Sequence, residues 1–370
     1  MQKLILCLGL FIAVPVFAQS PFGAVTGSAV EGGVQMKGIV TLSAGGEAVT
    51  KRFVIRMPAA AAWNGSLVIG AHGGGGGDNY DRSGAVIGTD ETALDDVIGR
   101  HALAAGFAYA SFDRDGSGNG ADGLRLTYQF TDIAKVEVQR RTGRAAARLY
   151  LVGLSAGGGI TRHAAEDAKA VFAGTLIIAG AGGDLATRLD KQSRMAALWP
   201  TIDPRTNPGL PNTDPQVQAY ADVIGTPVEA RRLWPYTGAG AVATAARPQT
   251  AVETATGRLR VPTIEVVGTW DDLVIRELRA YAARVQPRDM HRLYQVTGAW
   301  HMSGDDDGVI SFQYIATSRM KLDPDVADAM GEGPSYLSTV REAFDHLVRW
   351  AEQGTAAPMS QMLAPGVRLR

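Results

Sequence analysis

The segment Gly153-Leu154-Ser155-Ala156-Gly157 places a serine between two glycines in a pattern that could make its hydroxyl a nucleophile. The apolar run over 148–155 predicts a buried strand before it, and the residues over 158–172 predict a helix after it. A G-x-S-x-G segment between a strand and a helix is typical of a nucleophile elbow, which lifts the serine above the sheet. The flanking glycines leave room where a Cβ would meet neighbouring backbone. We therefore predict Ser155 as the nucleophile.

The same glycines allow two other interpretations. Gly153 with the run at 157–159 resembles the glycine loop of short-chain dehydrogenases, whose amides bind pyrophosphate. That loop follows the first strand of its fold, whereas this one lies near residue 150, and the chain has no Tyr-x-x-x-Lys pair. A purely structural glycine turn is the second alternative.

A serine hydroxyl needs a base to take its proton, and histidine is the commonest one. The chain has six histidines: His72, His101, His163, His291, His301 and His346. His301, in GAWHMSG, follows the C-terminal end of the strand predicted over 291–298, at the sheet edge where Ser155 is expected. The other candidates lie within predicted helices or at the opposite edge, apart from His72 beside the glycine run. We predict His301 as the general base.

The third member of such a site is a carboxylate that orients the imidazole. Asp271 and Asp272 both follow the strand predicted over 261–269. We favour Asp271, three residues after Gly268, and expect Asp272 to be a helix N-cap or a solvated neighbour. Asp184 is a third candidate, and the choice between Asp271 and Asp272 stays open at this point.

Five glycines follow His72 in the segment AHGGGGGDNY. A linker does not fit, because the run directly continues a predicted buried strand at 66–73. A phosphate cradle would need a Lys-Ser or Lys-Thr pair after the glycines, and Asp78-Asn79 stands there instead. We predict that the amide of Gly73 or Gly74, together with that of Ala156, forms an oxyanion hole.

The elements that must position these residues alternate between strand and helix. Strands are predicted over 38–57 as a hairpin and then over 66–73, 108–113, 148–155, 174–182, 261–269 and 291–298, the last of these being expected to close the sheet. Helices are predicted over 92–107, near 128–142, and over 158–172, 275–285 and 335–354. This order predicts an α/β fold with a mostly parallel central sheet and helices on both faces.

Residues 185–258 interrupt the alternation with eight prolines and no strand pattern. The segment is too long for a simple crossover. We predict an inserted cap or lid over the C-terminal edge of the sheet, where open α/β folds bind ligands. A helical elaboration away from the site is the alternative.

The N-terminal residues carry Lys3, an apolar run and the small-x-small sequence Val16-Phe17-Ala18. This layout predicts a signal peptide over 1–18, cleaved after Ala18, with the hydrolase-like domain over 19–370. We expect a secreted or periplasmic protein with no integral membrane segment in the mature chain. Cys7 is the only cysteine, so no disulfide and no cysteine metal site is expected. A formal net charge of −1 without a basic stripe disfavours nucleic-acid binding.

Two acidic segments have partial features of a cation site. The segment Asp113–Asn119 has calcium-loop spacing at its start, but Leu124 stands where the bidentate glutamate would be. Three aspartates at 305–307 fit a solvated loop better than a binding site. We expect no metal and no organic cofactor. Trp270 and Trp300 flank the predicted acid and base, and either line an aromatic substrate subsite or pack around the triad.

The order Ser155, Asp271, His301 resembles that of the α/β-hydrolases, and the resemblance extends over about 50–355. The segment AFDHLVRWAEQGTAAP at 343–358 is similar to the closing helix of tannase- and feruloyl-esterase-like enzymes and of phthalyl-amidase-like hydrolases. The resemblance implies a secreted serine esterase that acts on small or polymeric esters, with aromatic or bulky ones as the expected class. An amidase or peptidase with the same triad is the alternative. A non-catalytic binding module is a remote one, and the oligomeric state stays open.

Overall fold

The computed structural model describes residues 20–73, 79–80, 86–88, 96–113, 121–245, 255–301 and 332–370. The predicted signal peptide lies outside the described residues. Among the described helices, none combines the length and the apolar character that a bilayer-spanning helix needs.

Ten of the described strands form one sheet, and two short ones pair separately. In chain order the strands are Phe22–Val30 (β1), Gly33–Ala44 (β2), Glu47–Pro58 (β3), Ser66–Ala71 (β4), Asn79–Tyr80 (β5), Val86–Gly88 (β6), Ala108–Phe112 (β7), Arg148–Leu154 (β8), Gly174–Ile178 (β9), Thr263–Gly268 (β10), His291–Val296 (β11) and Gln361–Leu363 (β12). The order across the large sheet is β1-β2-β3-β7-β4-β8-β9-β10-β11-β12. From β7 to β12 every neighbouring pair is parallel, while β1, β2, β3 and β7 pair antiparallel.

Helices cover both faces of this sheet. They are Asp96–Ala104 (α1), Ala121–Thr142 (α2), Ala156–Glu166 (α3), Leu185–Ile202 (α4), Pro215–Ile224 (α5), Trp234–Ala245 (α6), Ile275–Arg284 (α7) and Leu337–Gln353 (α8). One face packs against α1 and α8, and the opposite face packs against α2 and α3. Alternate strand residues go to opposite faces, as Val68 and Ile69 of β4 do. The predicted mostly parallel α/β architecture is confirmed.

Two predictions about the sheet were wrong or incomplete. The strand at 291–298 was expected to be the last, but β12 follows α8 and pairs with β11 at the sheet edge. Its three residues are too few to show a period. The strand β1 was not predicted, because seven of its nine residues are exposed and it carries no alternating pattern.

The segment between β9 and β10 folds as a helical unit, called the insertion from here on, over 185–245. Its helices α4, α5 and α6 share a core of their own, formed by Met195, Trp199, Ile202, Val217, Tyr220, Ala221, Val223, Ile224 and Trp234. Asp184 and Asp214 accept backbone N–H bonds at the starts of α4 and α5. Within this described part the segment contains no strand, as the sequence predicts.

The insertion docks on α7, the helix that follows β10. Arg276 and Arg279 of α7 donate hydrogen bonds to carbonyl oxygens at the end of α5, and Arg276 also pairs with Asp190 of α4. The insertion therefore contacts the C-terminal edge of the sheet, where the predicted acid lies.

A buried ion pair joins α3 to β10. Arg162 and Glu265 are both inaccessible to solvent, and Arg162 Nη2 and Nε lie 2.7 and 3.1 Å from the two Glu265 oxygens. Arg162 also donates to the carbonyl oxygens of Gly180 and Ala181 in the turn after β9. One side chain thus ties together the helix after the elbow, the strand that leads to the acid, and the turn between them.

We expect Glu265→Gln to lower the free energy of unfolding by about 3 kcal/mol, because it leaves the Arg162 charge buried without a charged partner. Urea denaturation at neutral pH measures this difference. Asp132→Asn is the matched control, because it removes the exposed ion pair with Lys135, and its cost should stay below about 1 kcal/mol. Equal stability of the two variants would contradict the structural role of the buried pair.

The same pair makes stability depend on pH. Burial alone would raise the pKa of Glu265, but the Arg162 charge and the nearby His291 hold that pKa down at about 2, below its ordinary 4.5. A depressed carboxyl pKa stabilises the fold above the ordinary value, and this contribution is lost as the pH falls from 4.5 toward 2. As the pH is lowered over that interval, the free energy of unfolding should decrease more steeply for the wild type than for Glu265→Gln. Urea denaturation at a series of pH values measures this difference.

Candidate active site

Ser155 lies in a strained turn between β8 and α3. Its backbone has φ 52° and ψ −117°, a region that side-chain-bearing residues rarely occupy. Its N–H donates to the carbonyl oxygen of Ile178, and its own carbonyl accepts from Ala181, so β9 and the turn after it brace the elbow. The side chain is half-buried.

The elbow is compact because glycines stand where neighbouring atoms come closest to its backbone. A Cβ at Gly157 would lie 1.8 Å from the carbonyl oxygen of Ala71, and one at Gly153 would lie 2.1 Å from Oγ1 of Thr161. A Cβ at Gly158 would lie 2.4 Å from the Cα of Gly180. Glycine at these positions is therefore a steric requirement of the turn.

The structure brings Ser155, His301 and Asp271 into one hydrogen-bonded chain. His301 Nε2 lies 2.9 Å from Ser155 Oγ, and His301 Nδ1 lies 2.8 Å from Asp271 Oδ2. Asp271 is fully buried, and its Oδ1 accepts the N–H of Leu273. Because an ionised carboxylate only accepts, Nδ1 carries the proton and Nε2 is left to accept from the serine hydroxyl.

The surroundings of His301 favour its charged form. Burial alone would lower the pKa of His301, but the charge of Asp271 and its hydrogen bond outweigh burial and raise it, with a further contribution from Asp272. The carboxylate pair therefore stabilises an imidazolium at this position.

The residues predicted for the oxyanion hole lie beside the elbow. Ala156 is the first residue of α3, so its N–H has no acceptor within the helix. The end of β4 runs alongside, where Ala71 pairs with Gly153. Gly73 follows two residues later, and its carbonyl oxygen lies 2.8 Å from Nδ1 of His72. Gly74 lies outside the described residues.

The alternative acids have other partners. Asp272 is not the N-cap of α7, where Val274 stands, and it is not solvated, because it is fully buried. Its oxygens accept from Thr237 Oγ1 and Trp300 Nε1. Asp184 caps α4 and pairs with Arg284. The expectation that Asp272 is an N-cap or a solvated neighbour is therefore wrong.

The two flanking tryptophans differ in environment. Trp300 is 1% exposed and its indole N–H lies 3.0 Å from Asp272 Oδ1, so of its two expected roles, packing around the triad fits and lining a substrate surface does not. Trp270 is half-buried, and its backbone N–H donates to Ala299. A substrate-contacting role for Trp270 stays a prediction.

Three residues near the site were missed in the sequence. Tyr336, just before α8, donates through its hydroxyl to the carbonyl oxygen of His301 at 2.6 Å. Thr237 of α6 and Lys191 of α4 contact Asp272 and the backbone that follows it. No local motif marks them, because each reaches the site only through tertiary docking.

The two acidic segments that the sequence disfavours as cation sites fall largely outside the described residues. Of the calcium-loop segment only Asp113 is described, with Arg52 and His72 near its carboxylate, and the aspartates at 305–307 lie outside the described residues. Within the parts of the chain that are described, no cluster of three or more His, Cys, Asp or Glu side chains could hold a metal ion.

The chain is similar to known proteins of the esterase and hydrolase type. A family model described as an alpha/beta hydrolase domain matches residues 130–366. Feruloyl esterase B from Aspergillus oryzae is structurally similar at 12% identity, with 91% of this chain and 88% of that one covered and a TM-score of 0.52. The rice cell wall degrading esterase LipA from Xanthomonas oryzae is similar at 14% identity over 86% of this chain and 91% of that one, with a TM-score of 0.46.

No curated protein matches the chain. At these identities the solved structures support the fold alone, whereas the family model extends over more than half of the sequence. The chain belongs to the alpha/beta hydrolase domain family.

Proposed function

We propose that this protein is a serine hydrolase that cleaves carboxylic esters through an acyl-enzyme. The hydrogen-bonded chain from Ser155 through His301 to the buried Asp271 carries the proposal. The strained elbow supports it, because backbone strain at a reactive side chain is typical of functional sites.

In the proposed mechanism, Ser155 Oγ attacks the ester carbonyl while His301 Nε2 takes its proton. Asp271 keeps the Nδ1 proton in place and stabilises the imidazolium. The oxyanion is stabilised by the N–H of Ala156 and by that of Gly73 or Gly74, each donor contributing on the order of 3 kcal/mol to the transition state. His301 returns the proton to the leaving alkoxide, and water then releases the acid by the same steps.

Three finer parts of the proposal concern substrate, cap and location. An aromatic or bulky acyl group would suit the half-buried Trp270 beside the acid, and the structurally similar enzyme named a feruloyl esterase makes aromatic esters the first class to test. The insertion would act as the cap over the site, since it contacts the loop that bears Asp271. Export through the signal peptide at 1–18 would place the reaction outside the cytoplasm.

Ser155→Ala should abolish hydrolysis of a p-nitrophenyl ester and labelling by a fluorophosphonate probe, because it removes the oxygen that attacks the ester carbonyl and the probe. Steady-state rates and probe labelling measure this. The control Ser43→Ala removes an exposed hydroxyl on β2 and should retain both properties. Undiminished turnover by folded Ser155→Ala would refute the serine mechanism, and matched ester and anilide substrates would separate an esterase from an amidase.

The pH dependence should report the environment of His301. Only the neutral imidazole accepts the serine proton, so kcat/KM should rise with pH through the pKa of His301. Because Asp271 raises that pKa, the midpoint of the acidic limb should lie above the ordinary histidine value of 6.5. Asp271→Asn should lower kcat by about 10⁴ and move the limb to lower pH. A limb that stays in place in this variant would assign the titration to another group.

A further inference from the structure

Asp272 is a second carboxylate directly beside the proposed triad acid. Asp271 and Asp272 are both fully buried, yet they face different partners. Asp271 contacts His301, while Asp272 accepts from the indole of Trp300 on one oxygen and from the hydroxyl of Thr237 on the other. The reaction steps above use Asp271 only, so the second buried charge needs a separate explanation.

The hydrogen bond between Asp272 and Trp300 connects Asp272 to the proposed base, His301. Trp300 immediately precedes His301, and the two rings lie 5.8 Å apart in an edge-to-face arrangement. The turn that carries both, residues 297–301, is also held by backbone: Trp270 N–H donates to Ala299, and Gly298 N–H donates to Thr269 Oγ1. Asp272 thus adds a side-chain contact that holds the Trp300 indole in this turn.

The hydrogen bond between Thr237 and Asp272 connects Asp272 to the insertion. Thr237 is buried in α6, and its hydroxyl lies between Asp272 and the carbonyl oxygen of Trp234. Lys191 of α4 supports the same position by donating to the carbonyl oxygens of Asp272 and Leu273 at 3.0 and 2.8 Å. Two helices of the insertion therefore attach at Asp272.

We propose that Asp272 is a positioning residue for the proposed hydrolysis, holding the turn of His301 through Trp300 and the insertion through Thr237. The inference rests on the proposed function. It assigns one carboxylate two tasks: orientation of the base, which affects the chemical step, and placement of the insertion over the site, which affects substrate binding.

The charge environment agrees with this assignment. Burial and the neighbouring Asp271 raise the pKa of Asp272 to about 6, against the lowering effects of Thr237, Trp300 and Lys191. The ionisable groups that interact with it are Asp271 beside it in the chain, Lys191 and Tyr220 from the insertion, and His301. Glu277 of α7 pairs with the same Lys191. Asp272 is therefore charged above about pH 6, where its acceptor role toward Trp300 is strongest.

Separate variants test the two contacts. Trp300→Phe removes the indole donor, and kcat should fall roughly ten- to a hundredfold, the loss expected for a misplaced catalytic group, with KM little changed. Thr237→Val removes the hydroxyl, and KM should rise by about fivefold, the equivalent of one hydrogen bond, with kcat largely kept. A merely structural role would not produce this division between kcat and KM.

Matched controls break similar bonds elsewhere. Trp63→Phe removes the buried hydrogen bond from its indole N–H to the carbonyl oxygen of Ser66, at the start of β4. Thr226→Val removes the hydroxyl that accepts a hydrogen bond from the indole N–H of Trp234 inside the insertion. Both should keep wild-type kcat and KM. Asp272→Ala should combine the two losses, and Asp272→Asn should recover most of the activity, because its amide can accept from Trp300 and donate to Thr237.

A spectroscopic readout separates this inference from the proposed function. The Trp300 indole N–H resonance, identified by its loss in Trp300→Phe, should shift in Asp272→Asn at pH 8 whether or not any ester is hydrolysed. An unmoved resonance would overturn the contact itself. Wild-type kcat and KM in both Trp300→Phe and Thr237→Val would overturn the positioning role, and this holds even where Asp272→Ala fails to fold.

Discussion

The geometry of the site depends on the buried ion pair between Arg162 and Glu265. Arg162 lies two turns into the helix that Ser155 begins, and Glu265 lies six residues before Asp271 on β10. The same guanidinium binds the carbonyl oxygens of Gly180 and Ala181, whose turn braces the elbow. Since Arg162, Glu265 and Gly180 are buried, moving the nucleophile relative to the acid would leave charges or carbonyls without partners. Desolvation thus enforces the relative position of two catalytic candidates that never touch each other directly.

Much of the fold could be predicted because its strands are buried on both faces and its helices are amphipathic. The central runs of β4 and β8 are continuous and apolar, and that of β10 is interrupted only by Glu265 among apolar and β-branched residues, so composition and length identify them. Boundaries were less accurate where a turn, and no apolar pattern, decides them. Helix α3 begins at Ala156, because the elbow turns directly into it, and α2 begins at Ala121, seven residues before the predicted start. Neither the exposed β1 nor the short β12 has a pattern that a sequence could reveal.

In the candidate site, too, some residues could be predicted from the sequence and others could not. Ser155 and His301 were identifiable because each stands at the end of a strand, where chain order and sheet edge restrict the possibilities. The sequence could not separate Asp271 from Asp272, since both follow β10 and the distinction depends on the direction of each side chain in the turn. Thr237, Lys191 and Tyr336 had no signal at all. Their contacts depend on how the insertion and α8 dock, and docking is determined by surfaces that no local motif describes.

Stability does not explain the carboxylate at Asp272, because its burial is energetically unfavourable. Burial disfavours its charged form strongly enough that the donors around it do not bring its pKa back to the ordinary value. A carboxyl with a raised pKa in the folded state destabilises the fold progressively as the pH rises from about 4 toward 6. An apolar side chain of similar shape would avoid this cost, but it could not accept a hydrogen bond from Trp300 or Thr237. We therefore attribute the carboxylate to its positioning role, in which it joins Trp300 to Thr237. At this position the geometry of the site is kept at the expense of stability.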